Sequence, residues 1–214
     1  MNRYISIPQS AALTAPFTQG GLVIGITGGT GCGKTTLLNV IREAGGLILD
    51  CDAIYHELLK TDRALLEAIA ARFPGTVESG MLQRKKLGAI VFSDPNALQD
   101  LNRITHSAIY QEVLRRLEET PRLAAIDAIG LVEGGLSELC HVTVAVTAPE
   151  DVRVARLMAR DGITEDYARS RIRAQHDAAW FQAHCDHVLE NSGTLEAFRD
   201  KCLAFLHQLD IMNV

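Results

Sequence analysis

The chain has 214 residues, 47% of them hydrophobic, with a formal net charge of −5 and no block of like charges. That length supports one domain with a substantial core, and the charge argues against a nucleic-acid-coating surface or a polybasic membrane anchor, so a small-molecule partner is expected. Five cysteines, Cys32, Cys51, Cys140, Cys185 and Cys202, form neither a Cys-x-x-Cys pair nor a zinc-ligand spacing, which fits reduced thiols and a cytoplasmic protein.

Residues 1–20 have no basic segment followed by a continuous apolar stretch, and Pro8 and Pro16 interrupt any helix there. They are read as an N-terminal extension rather than a signal peptide. Nowhere does an apolar run reach the roughly eighteen residues that a membrane span requires, so no membrane partner is expected.

The apolar run Leu22-Val-Ile-Gly-Ile26 reads as a buried strand and Leu37-Leu-Asn-Val-Ile41 as helix. Between them lies Gly28-Gly29-Thr30-Gly31-Cys32-Gly33-Lys34-Thr35, a phosphate-binding P-loop. Its glycines let backbone amides converge on polyphosphate oxygens, and the helix N-terminus adds a positive dipole. Gly29 to Thr36 are therefore the expected ATP contacts, with Lys34 on the β- and γ-phosphates and Thr35 on Mg²⁺. Cys32 sits where helix-terminal amides could lower a thiol pKa and make it sensitive to alkylation, but it is read as a tolerated small residue with no catalytic role.

Gly45-Gly46 stops the first helix, and Leu47-Ile-Leu49 forms a short strand ending at Asp50-Cys-Asp52. Carboxylates at that edge face the ligand crevice of an open α/β sheet. Asp52 is the candidate group that orients or deprotonates an acceptor hydroxyl; the other reading makes Asp50 or Asp52 a helix cap.

Residues 61–120 read as a helical insertion, interrupted from Pro74-Gly75 to Gly80, with Leu65, Leu66, Ile69 and Phe73 on one apolar face. Asp94-Pro95 caps its long final helix. Leu123-Ala-Ala-Ile-Asp127 and the alternating valines of His141 to Thr147 restore strand, and Asp127 takes the place of a magnesium-shell carboxylate or of a turn residue.

Thr147-Ala-Pro-Glu150 has capping-box spacing. In the helix after it Val154, Leu157 and Met158 share one face, and Arg153, Arg156 and Arg160 the other. Gly162 ends this helix and Thr164 starts another, carrying Arg169, Arg171, Arg173 and Gln175; Asp186 to Glu190 is the last strand. The arginine-rich hairpin, about 149–184, is expected to be a lid over a nucleotide, although a solvated face paired with Glu150, Asp151 and Asp161 explains any single arginine as well.

These elements predict an α/β, three-layer P-loop NTPase fold with a parallel sheet, like that of nucleoside monophosphate kinases. One kinase domain over 21–214 is expected, its core about 21–60, 121–148 and 185–214, with a helical substrate-binding insertion and a helical lid. No Asn-Lys-x-Asp stretch reads guanine and no transporter ATPase block is present. A small-molecule kinase fits best, leaving as alternatives another metabolite or nucleoside kinase or a nucleotide-dependent switch.

From Leu22 onward the chain resembles the dephospho-coenzyme A kinase family. The resemblance is carried by the P-loop, Ile48 to Asp52, Leu82-Gln-Arg84 with Leu87, Phe92 and Pro95, Leu101-Asn102, His106, Leu131-Val-Glu133, Arg156, Arg160-Asp161, Arg171, Gln175, Asp186 and Asn191. It implies transfer of the ATP γ-phosphate to the ribose 3′-hydroxyl of dephospho-coenzyme A, with Mg²⁺ as cofactor. It further implies Asp52, Lys34 and Arg160 as catalytic groups, Arg156 on the nucleotide, and Asp52, Arg84, His106, Glu133, Arg171 and Gln175 on the acceptor. Two departures stand out. Ile129 replaces the family's proline in Asp127-Ala-Ile-Gly-Leu131, and Ser107 replaces the proline after His106.

Overall fold

The computed structural model describes residues 21–119 and 122–209. Strand β1 (Leu22–Thr27) is buried on both faces, leads through the P-loop into α1 (Lys34–Glu43), and the chain returns as β2 (Leu47–Asp50). Gly45, at φ 83, makes the left-handed turn that ends α1. Helix α2 (Cys51–Thr61) follows β2 directly, so Asp52 occupies the first helical turn two residues past the end of the strand.

Helices α3 (Arg63–Arg72), α4 (Arg84–Val91) and α5 (Pro95–Glu118) complete the insertion. The interruption at Pro74–Gly80 is a small hairpin, β3 (Val77–Glu78) against β4 (Met81–Leu82). Asp94 caps α5 by accepting from the Asn96 amide, with Pro95 at the start of the helix. The expected run of α5 to Thr120-Pro121 lies partly outside the described residues. The chain then re-enters the sheet as β5 (Leu123–Asp127) and β6 (Val142–Thr147).

Helices α6 (Glu150–Asp161), α7 (Glu165–Arg173) and α8 (Ala178–His184) precede β7 (His187–Glu190) and α9 (Leu195–Gln208). Gly162 ends α6 at φ 64, and the Thr164 hydroxyl caps α7. Two readings of this stretch are corrected. Thr147 remains in β6 and makes no side-chain cap, because Pro149 is the residue that precedes α6. Arg153 is buried and Met158 is 39% exposed, because the inward stripe of α6 runs through Arg153, Val154 and Leu157.

All five strands of the main sheet are parallel, in the order β2-β5-β1-β6-β7. Alternation along them divides the interior. Val23, Ala124 and Ile126 face the α2–α5 layer, whereas Ile24, Ile26, Ala125, Val142, Val144 and Val146 pack with α1 and α9. Val154, Leu157, Ala168 and Ile172 join α6 to α7 as a separate small cluster. The chain passes from β1 to β2 on one side and later from β5 across β1 to β6 on the other, and this reversal opens a ligand crevice at the carboxyl end of the sheet.

Candidate active site

The P-loop occupies that crevice, and its glycines are required by close approach as well as by dihedral angle. Gly28 has φ 133, and a Cβ there would lie 2.2 Å from the Val146 carbonyl oxygen. Gly33 has φ 90, and a Cβ there would meet Asn191 Nδ2 at 2.3 Å. Lys34 Nζ donates to the Gly28 carbonyl at 3.0 Å, so the cation is already folded back over the loop.

Side chains from distant segments hold this loop. Buried Asn191 donates to the Cys32 carbonyl at 2.9 Å and accepts from Arg156, which also donates to the Gly31 carbonyl at 3.2 Å. Gln175 Oε1 accepts from the Thr30 amide and from Arg153, each at 2.9 Å. Gln175, which the resemblance places on the acceptor, is thus hydrogen-bonded to the phosphate loop. The Cys32 thiol is pushed up by burial, against the opposing pull of Arg153 and Lys34. That reverses the expected sensitivity to alkylation, since the thiol lies beneath the loop.

One open cavity is lined by Gly29, Thr30, Gly31, Gly33, Lys34, Thr35, Asp52, Asp127, Ile129, Arg156, Arg160 and Arg171 among others. Most of the residues expected to meet ATP therefore share a single space. Cys32 and Thr36 are not part of its lining; Cys32 is buried and Thr36 lies in α1. At the rim, Asp161 accepts from Arg160 at 2.6 Å and from Arg171 at 2.8 Å. The hydrogen bonds from Arg160 and then Arg171 bring its pKa to about 2, so it stays ionised and holds both guanidinium groups.

A second cavity adjoins the first. Asp52 and Ile129 line both, and the second also includes Cys51, Tyr55, Thr105, His106, Gly130 and Gly134. Ile129, at the position of the family's proline, is 45% exposed, and its carbonyl accepts from the Thr27 hydroxyl at 2.9 Å. That bond ties the loop after β5 to β1. Burial lowers the His106 pKa, while Glu133 nearby pulls it up. Glu133 Oε1 itself lies 2.7 Å from His176 Nε2. Arg84 lines a neighbouring apolar groove that shares Tyr55 with this cavity, and its guanidinium stands 3.3 Å from His56 Nδ1.

The two strand-end carboxylates, Asp50 and Asp52, separate by role. Asp50 accepts from the Ala53 amide at 3.0 Å and caps α2, whereas Asp52 stands exposed between the cavities. Asp127 Oδ1 is buried with no hydrogen-bond partner among the described residues. Burial raises its pKa to about 6, Lys34 opposes the rise, and Asp50 and Asp52 add to it. A buried acceptor atom without a donor suits a cation, and a carboxylate with the Thr35 hydroxyl is a hard-oxygen pair of the kind Mg²⁺ takes alongside phosphates.

Neither Arg153 nor Asn191 has a site role that the sequence alone predicts. Arg153 lies one helical turn before buried Leu157, on the inward stripe of α6, but its charge placed it on the polar face in the sequence. Asn191 carried no such signal, because the turn after β7 brings it to the loop only in three dimensions.

A family model described as dephospho-CoA kinase matches residues 22–197. The dephospho-CoA kinase of Syntrophotalea carbinolica is 37% identical over 194 residues, covering 88% of this chain and 92% of its own. A crystal structure from Thermus thermophilus superposes with a TM-score of 0.75 at 32% identity, covering 89% of this chain and 99% of that one. The dephospho-CoA kinase of Campylobacter jejuni, at 23% identity and a TM-score of 0.63, shares the fold over 90% of this chain and 98% of its own. Matched over most of its length in sequence and in architecture, the chain belongs to the dephospho-CoA kinase family.

Proposed function

We propose that the protein transfers the γ-phosphoryl group of ATP to the ribose 3′-hydroxyl of dephospho-coenzyme A, giving coenzyme A and ADP. The observation that carries this reading is the position of Asp52, an exposed carboxylate on the boundary between the phosphate-loop cavity and a second cavity. Phosphoryl transfer needs an acceptor oxygen held in line with the γ-phosphate, and charge neutralisation on that group. Neither alternative, a nucleotide-dependent switch or a different metabolite kinase, is favoured by the relatives.

The triphosphate lies along the P-loop amides, and Lys34 turns from the Gly28 carbonyl to the β- and γ-phosphates. Thr35 and Asp127 would hold Mg²⁺, for which the unpaired Asp127 oxygen and the hard-oxygen pair are the support. When bound, Mg²⁺ neutralises charge on the phosphate oxygens. Asp52 accepts the hydroxyl proton as a hydrogen bond and orients the nucleophile; a loose transition state asks little more of it.

Arg160 and Arg171, held by Asp161, reach the transferring phosphate as α6 and α7 close. Their separate apolar cluster lets the pair move as a unit. His106, Glu133 and Arg84 line the path of the acceptor, with the region about 61–120 as acceptor-binding insertion and about 149–184 as lid. Five free cysteines suit a reducing, cytosolic compartment.

The test is a product analysis. Incubation with MgATP and dephospho-coenzyme A yields a product heavier by one phosphate, and an acceptor lacking the 3′-hydroxyl yields none. Equal phosphorylation of the 3′-deoxy acceptor would refute the assignment.

A further inference from the structure

Arg153 is the least expected residue of the P-loop's surroundings. Its side chain is only 8% exposed, yet among the described residues no carboxylate lies within ion-pair distance of it. A buried cation is costly unless an opposite charge compensates it. Its side-chain hydrogen bonds all converge on one residue of the phosphate loop. Arg153 Nε donates to the Thr30 carbonyl at 2.9 Å, and Arg153 Nη2 donates at 2.9 Å to Gln175 Oε1. The same Gln175 oxygen accepts from the Thr30 amide at 2.9 Å.

Thr30 is thereby held by both its N–H and its C=O, one through the segment after α7 and the other through α6. Gly29 leaves the room: a Cβ there would lie 2.2 Å from Arg153 Nη2 and 2.9 Å from Gln175 Oε1. Arg153 does not line the nucleotide cavity, whereas Thr30 does. The guanidinium therefore lies behind the loop and acts through it, bringing one positive charge to a loop whose ligand is a polyphosphate.

We propose that Arg153 is a positioning residue for ATP, fixing the Thr30 peptide and supplying a buried positive charge that the bound triphosphate completes. This rests on the reading of the P-loop cavity as the ATP site and extends it to a residue outside the cavity. The planar fork of arginine serves both tasks, since two donors on one rigid group reach a carbonyl and an amide oxygen together. Because Gln175 and Arg153 lie in the α6–α8 region, that region is tied to Thr30 by two hydrogen bonds, and a third joins the two side chains, before any nucleotide arrives.

Two variants separate charge from shape. Arg153→Met removes both donors and the charge at similar volume. Gln175→Glu keeps an acceptor for Thr30 and Arg153 but adds the carboxylate that the cation lacks. ATP affinity is measured by titration calorimetry with MgATP alone, beside KM values and the melting temperature of the nucleotide-free protein.

The expected result is at least a tenfold weaker ATP affinity for each variant, a KM for dephospho-coenzyme A within twofold of the parent, and nucleotide-free melting curves that stay cooperative. Arg153→Lys, which keeps the charge but not the fork, recovers part of the loss. Unchanged ATP affinity in Arg153→Met would overturn the proposal, as would equal losses in ATP and acceptor KM with an early-melting protein. Calorimetry needs no acceptor, so the proposal is read even if dephospho-coenzyme A fails as substrate; that failure would strike the acceptor assignment alone.

Discussion

The phosphate loop and the acceptor cavity are built on different principles. Around the loop the protein's own groups are already engaged: Thr30, Gly31 and Cys32 carbonyls accept from Arg153, Arg156 and Asn191, and Lys34 rests on Gly28. The cavity beside it has the opposite character. Asp52 stands exposed, and Ile129 presents an apolar side chain to the opening. The phosphate loop is preorganised, so binding ATP there replaces one set of polar contacts by another, whereas the second cavity presents an exposed carboxylate and an apolar side chain.

That contrast is broken most severely at Lys34. Lys34→Ala should lower kcat/KM by about 10³-fold, the scale of losing a group aimed at developing transition-state charge. A steady-state assay with both substrates varied reads it, and the loss should appear against ATP at every acceptor concentration.

Asp52→Asn sharpens the comparison from the other cavity. Turnover should fall by about 10²-fold or more, the range of a lost proton acceptor, with ATP affinity near that of the parent. If ATP affinity fell in parallel, the carboxylate would belong to the nucleotide site.

Asp127 tests the cost of preorganisation. Its folded pKa of about 6 lies above that of an ordinary carboxylate, so the folded state binds its proton more tightly than the unfolded chain. Stability therefore falls as pH rises through about 6, and the cost of the buried charge is fully present above that. Asp127→Asn should melt higher than the parent at pH 8 without Mg²⁺ or nucleotide, the gap shrinking as pH falls below about 6, while turnover at pH 8 drops. A variant that melts lower at pH 8 would contradict this.

The smallest effect is expected at Asp50, two residues from Asp52. Asp50→Ala removes the α2 cap and should cost about 1 kcal/mol, a melting shift of about 2–4 °C for a domain of this size, with both KM values within about twofold. Thermal melts alongside kinetics distinguish it from Asp52→Asn.

Much of the frame was legible because its cues are local. The strand-loop-helix at Leu22 to Ile41 has an apolar run, a glycine loop and an apolar stripe in sequence, and the caps at Asp94 and Thr164 each sit beside the helix they start. The rest depended on distant partners. Periodicity put Arg153 on the polar face because the residue is charged, but tertiary packing turned it inward to meet Thr30, 123 positions away. Gln175, separated from Thr30 by 145 positions, is at the loop for the same reason. Helix α8 and the hairpin of β3 and β4 are too short for a periodic pattern to announce them. At Asp50-Cys-Asp52 the sequence favoured Asp52 as the reacting group but left either carboxylate as a cap, and the start of α2 at Cys51 makes Asp50 the cap.

The most direct test of the account is ADP release from MgATP with and without dephospho-coenzyme A, for the parent and Asp52→Asn. The account predicts strong acceptor stimulation in the parent and near-basal release in the variant, with ATP binding intact in both. Acceptor-dependent turnover that survives undiminished in Asp52→Asn would contradict the central claim that this carboxylate joins the two cavities into one reaction site.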